Sequence, residues 1–156
     1  GALPTEAQWE LAARGRCEEN GGSSGCATEM RVYPWGNSAP ACGKTAVYQS
    51  DRGNGCGAGT KWAVGTGSKL GRGPYGHYDI AGNVLEWVSD YYSNGYSVAS
   101  AATRRSLPIK VSPSYRVIRG GSFRGSASNL RAGGRNYIDA SFASAHLGFR
   151  CVRSSP

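Results

Sequence analysis

Asp79, Glu86 and Asp90 are the clustered acids of this chain, gathered in "YGHYDIAGNVLEWVSDYY". Two carboxylates so close could divide acid and base work on a glycosidic bond, one protonated and the other ionised. The same three residues also suit a turn cap, a hard-cation ligand and a solvated carboxylate, and that reading is the stronger. His77 and His146 have no spacing that pairs them with a nucleophile or a metal. "GGSFR" fails as a nucleophile elbow because Arg124 stands where G-x-S-x-G needs its last glycine. "GKT" at 43–45 fails as a phosphate loop because Ser38 replaces the first glycine, and "GTGSKLG" lacks a strand–turn–helix setting.

The cysteines are more informative. Cys17 and Cys26 flank "EENGGSSG", and Cys42 and Cys56 bracket a second polar loop. Neither spacing is that of a zinc site, and the chain has only 2 His. Pairs Cys17–Cys26 and Cys42–Cys56 would each close a loop, adding about 2–3 kcal/mol, in an oxidising compartment. Five reduced thiols in a cytosolic protein are the alternative. Cys151 is left over and is expected to be buried in the last strand.

The elements that must position these groups are few. At 156 residues the chain fits one domain, 1–156, able to bury a core. Its 24 Gly, about twice the usual share, point to turns and close backbone approaches, while 4 Trp and 9 Tyr argue against disorder. "LPTEAQWELAARG" is predicted to be a helix with Thr5 as N-cap, Gln8 completing a capping box and Gly15 as the stop. Trp9, Ala12 and Ala13 would face the core. Loops with brief extended pieces run from Cys17 to Gly73, among them the Pro34–Gly36–Asn37 turn. "AGN" predicts a tight turn and "VLEWVSDYY" a strand. "YRVIRGGSF" and "LGFRCVR" are expected to be neighbours in one antiparallel sheet. The class is α+β with little regular structure. The net charge of +8 comes mainly from scattered Arg with no Lys/Arg block, so a nucleic-acid partner is not expected. No apolar run reaches membrane-spanning length and no signal peptide is visible.

Five segments in order, "LPTEAQWELAARG", "YPWGN", "GHYDIAGNVLEWVSD", "RVIRGGSF" and "LGFRCVR", resemble the hallmarks of the formylglycine-generating-enzyme, or sulfatase-modifying-factor, domain. The resemblance implies a loop-rich variant of the C-type lectin fold. Family domains begin well before "LPTEAQWE", which implies a shortened or minimal form. The family holds enzymes and non-enzymes. Its oxidases bind copper through two cysteines whose positions here are Gly125 and Leu130, so no thiolate copper site is expected. The related sulfoxide synthases use a His-rich iron site from a separate helical domain. The resemblance also implies a structural Ca²⁺ on the D-x-x-G-N-x-x-E turn, held by Asp79 and Glu86 side chains with Gly82 and Val84 carbonyls. The alternative is that Asp79 caps the turn and Glu86 pairs with Arg, without an ion.

Within that family the chain is most similar to the variable proteins of diversity-generating retroelements. These randomise, at adenines of Asn codons, a ligand-binding surface between a fixed "GGS" edge and a fixed "GFR" edge. The resemblance places the variable region at 120–150, with Arg124, Gly125, Ser126, Gly133, Tyr137, Ile138, Phe142, Ser144, Ala145 and His146 as ligand-binding positions. Lys, Glu, Gln, Met and Trp, which that route cannot produce, are absent between Ser122 and Arg150. Arg124, Tyr137, Phe142 and His146 would carry recognition. Arg131, Arg135, Arg150 and the "GG" turns would hold the backbone by bonding to carbonyls. The expectation is a non-catalytic module, extracellular, on a cell surface or on a virion, that binds a protein or glycan. A displaced-site oxidase and an undiversified structural domain are the rivals.

Overall fold

The computed structural model describes residues 1–15, 31–65, 71–93 and 114–153. Cys17 and Cys26, and hence their pairing, lie outside these residues. Helix α1, Glu6–Arg14, starts where the sequence sets it. The Thr5 side chain accepts from the Gln8 N–H, Gln8 returns a bond to Thr5, and the Gly15 N–H closes on the Leu11 carbonyl. Four strands form one sheet: β1 Leu85–Tyr91, β2 Tyr115–Arg119, β3 Asn136–Asp139 and β4 Leu147–Phe149, in the order β3-β2-β1-β4.

This order corrects the expected pairing of "YRVIRGGSF" with "LGFRCVR". They flank β1 and are not paired with each other: β2 pairs with β1 antiparallel, and β4 pairs with its other edge in parallel, Leu85 to Leu147 and Trp87 to Phe149. A parallel neighbour cannot follow by a tight hairpin, and the long 120–146 excursion supplies the crossover. Cys151 is a second correction. It lies just past β4 and is exposed, because β4 ends at Phe149 and forms a sheet edge.

Strand β1 alternates, with Glu86, Val88 and Asp90 on its buried face. That face packs on α1 around Trp9, Ala13, Ile80, Val88, Val117 and Ala132, all nearly inaccessible. Two carboxylates in so apolar a layer need partners. Asp90 accepts from the Glu6 N–H (2.6 Å) and Glu86 from the Trp9 indole N–H (2.6 Å). Glu6 is itself buried and pairs with Arg119 (3.3 Å) and Arg135 (2.7 Å), while Arg119 reaches Glu10 at 2.6 Å and the Ala132 carbonyl at 3.0 Å. The helix is thus fastened to the sheet by charge as well as by Trp9.

The loops are cross-linked through the main chain. The Gly82 N–H donates to Gly120 O, Asn83 N–H to Val47 O, Phe123 N–H to Asn83 O, and Gln49 N–H to Gly125 O, each within 2.7–2.9 Å. Gly82 has φ +82°, and a Cβ there would lie 2.7 Å from Val47 O, so this turn requires glycine. Cys42 and Cys56 form the predicted disulfide, with Cα atoms 5.6 Å apart.

Candidate ligand-binding cleft

Past β2 the chain turns at Gly120 and Gly121, buries Phe123 and enters a one-turn 3₁₀ segment, Ala127–Leu130. A Cβ on Gly121 would sit 2.9 Å from Asn129 O at φ +71°, so the second glycine lets this turn pack on the segment it faces. Phe123 at one end and Leu130 and Ala132 at the other are buried and pin the excursion's first half. Between these pins Arg124, Ser126, Ser128 and Asn129 are exposed.

A cleft of about 400 Å³ opens here, with Leu85 and Ile118 from the sheet, the Gly120–Gly121–Ser122 turn, Arg124, Asn129 and His146 among its lining. His146 is held by a 2.6 Å bond between its Nδ1 and the Ser144 hydroxyl, and its carbonyl accepts from the Leu85 N–H. The neighbouring Ala145 carbonyl accepts from Lys61 Nζ at 3.3 Å.

Of the expected ligand positions, Arg124, Gly125 and His146 meet at this cleft. Ser126 stands at its rim, bonded to Ser128 and Asn129. Ser144 supports His146, and Ala145 is exposed beside it. Phe142 is 44% exposed on the β3–β4 connection, where its N–H closes a turn onto Asp139 O. Tyr137 and Gly133 lie elsewhere. Tyr137 pairs with Val117 in the β2–β3 register, and paired residues share a sheet face. It therefore sits on the helix side, stacked on Tyr92 at 3.9 Å and edge-on to Tyr115. Gly133 offers its carbonyl to Arg119 at 3.5 Å. Ile138 shares the face of Ile118 and Asn136 but does not line the cleft. Asn129 and Asn136, which the sequence did not single out, do line it.

The arginines expected to hold the backbone divide. Arg135 grips both oxygens of Glu6 and the Ser93 carbonyl, and Arg150 donates to Glu86 and to the Tyr78 and Asp79 carbonyls. Arg131 is exposed.

The turn expected to hold Ca²⁺ has its side-chain oxygens engaged. Glu86 accepts from Trp9 and twice from Arg150, while Asp79 accepts from the Gly65 N–H at 2.7 Å. A cation on Glu86 would have to displace a guanidinium, so this donor set does not fit the ion as it stands. Nearby, His77 is held below its ordinary value by partial desolvation and by the Arg150 charge, with Glu86 pulling the other way. The oxidase copper site does not fit either: Gly125 and Leu130 carry no sulfur, and Cys151 is the free thiol among the described residues.

The comparisons agree with the fold. The chain is 33% identical over 161 residues to the formylglycine-generating enzyme of Thermomonospora curvata, covering 96% of this chain and 48% of that one. It is 33% identical over 152 residues to the serine/threonine-protein kinase pkn1 of Chlamydia pneumoniae, covering 97% of this chain and 21% of the kinase. It thus spans less than half the length of either relative. Among solved structures, Treponema denticola variable protein 1 matches with a TM-score of 0.66 and 30% identity over 94% of this chain and 45% of that one. PvdO from Pseudomonas aeruginosa matches in fold, with a TM-score of 0.69 at 23% identity, over 94% and 50%. A model of the sulfatase-modifying factor enzyme 1-like domain matches residues 1–155, and the chain belongs to that family.

Proposed function

We propose that this domain is a non-catalytic binding module whose ligand surface is built on residues 124–146 and centred on the cleft. One observation carries the reading: inside a single excursion, Ser122, Phe123, Leu130 and Ala132 are at most 3% exposed while Arg124, Ser126, Ser128 and Asn129 between them face solvent. Side chains at the second set are free to change without disturbing the first, which is what a diversified recognition surface requires. Similarity to a protein named a variable protein supports the same reading, as does the occurrence of a related domain within a much longer kinase chain. The disulfide Cys42–Cys56 supports display in an oxidising compartment, outside the cell or on a virion. Among the described residues no helix is long and apolar enough to cross a membrane.

The test is a library randomised at 124, 126, 142 and 145. Members should keep the parent's thermal transition and yield binders to unrelated proteins or glycans. Loss of cooperative unfolding in most members would sink the reading. Sequencing the flanking DNA for a near-copy of the 116–153 coding segment, differing only at adenines, tests the retroelement version. The oxidase reading, favoured by the similarity to formylglycine-generating enzymes, predicts turnover of a Cys-containing sulfatase peptide with added copper. On the binding-module reading none occurs. Bound Ca²⁺ would reveal itself as a rise in thermal midpoint over a chelated sample, with release of Arg150 from Glu86.

A further inference from the structure

The charged residues that line the cleft are arginines. Arg119, Arg124, Arg135 and His146 are among its lining residues, and among the described residues no carboxylate is. Two of these guanidiniums are neutralised from the helix side, Arg119 by Glu6 and Glu10 and Arg135 by Glu6. Arg124 is not. Among the described residues no carboxylate pairs with it, and its guanidinium lies 5.4 Å from the Phe123 ring centroid. The neutral lining adds the hydroxyl of Ser128 and the amides of Asn129 and Asn136. One positive charge at the cleft, that of Arg124, is uncompensated.

A ligand covering Arg124 without supplying an anion would strip water from an unpaired charge, which is unfavourable. A carboxylate removes that cost, because its two oxygens match the guanidinium fork. We infer that the cleft receives an Asp or Glu side chain presented by a loop of a partner protein, with Arg124 as its principal contact; this rests on the binding-module reading above. An acidic sugar is the poorer fit. A sugar ring is held largely on an aromatic face, and neither Tyr137 nor Phe142 lines the cleft.

Random peptides displayed on phage, panned on the immobilised domain and on R124A, test this, once equal melting temperatures show that the variant folds. Enriched peptides should be rich in Asp and Glu, bind R124A about tenfold more weakly, and recover part of that in R124K. Their binding should also weaken as salt rises. Peptides without acidic bias, or acidic peptides indifferent to R124A, overturn the charge assignment and leave the recognition surface standing. Preferential, Arg124-dependent binding of a uronic-acid polysaccharide overturns the choice of a protein partner. If no peptide is enriched, the inference falls; whether the recognition reading falls with it is decided separately by the randomised library.

Discussion

The two sides of the sheet use charged residues in opposite ways. On the helix side Glu6, Glu86, Asp90 and Arg119 are each at most 5% exposed and each is engaged by another part of the chain. Around the cleft Arg124 stands exposed without a carboxylate among the described residues, and the Ser and Asn side chains bond mainly to one another. A buried charge that loses its partner is expensive, whereas an exposed one is nearly neutral. Charge on the first side therefore specifies the fold, and charge on the second is available to a ligand.

The sharpest way to break this contrast is Arg119→Ala. It removes one of the two arginines that hold Glu6 and one of the two that hold Glu10, and should cost about 3–5 kcal/mol in urea unfolding. Next, replacing Cys42 and Cys56 with Ser removes a cross-link of sequence separation 14, with an expected loss of about 3 kcal/mol. Arg124→Ala and Phe142→Ala should each change stability by no more than about 0.5 kcal/mol. If either matched Arg119→Ala, the two sides would not differ as argued.

The smallest effect is on pH. His77 binds its proton less readily when folded, so its contribution to stability is complete above the ordinary imidazole value of 6.5 and is lost as pH falls through the lowered folded value. The thermal midpoint should therefore drop slightly between pH 7 and pH 5, and less so in H77Q. The residue is exposed, which keeps the effect small.

What could be read from the sequence follows from how local each signal is. The capping box at Thr5 and Gln8, the Gly82 turn, the alternation of β1 and the Cys42–Cys56 loop all depend on residues close in the chain. The burial of Glu6 was not legible, because helix periodicity assigns a Glu beside the N-cap to solvent and only Arg119 and Arg135 make the interior habitable for it. The parallel β1–β4 pairing was missed for a similar reason: short apolar strands carry no mark of their direction. Tyr137 was placed on the ligand surface by its position in a segment. The strand's two-residue period turns it to the other face.

The bond from Arg135 to Glu6 spans 129 residues, and that from Arg119 to Glu10 spans 109. A nascent chain thus completes α1 long before the groups that anchor it leave the ribosome. Glu6 must stay hydrated until then, and closure over such distances is slow. The fold of this domain should form only after Arg135 has emerged, leaving an interval in which Trp9 is uncovered and self-association competes with folding.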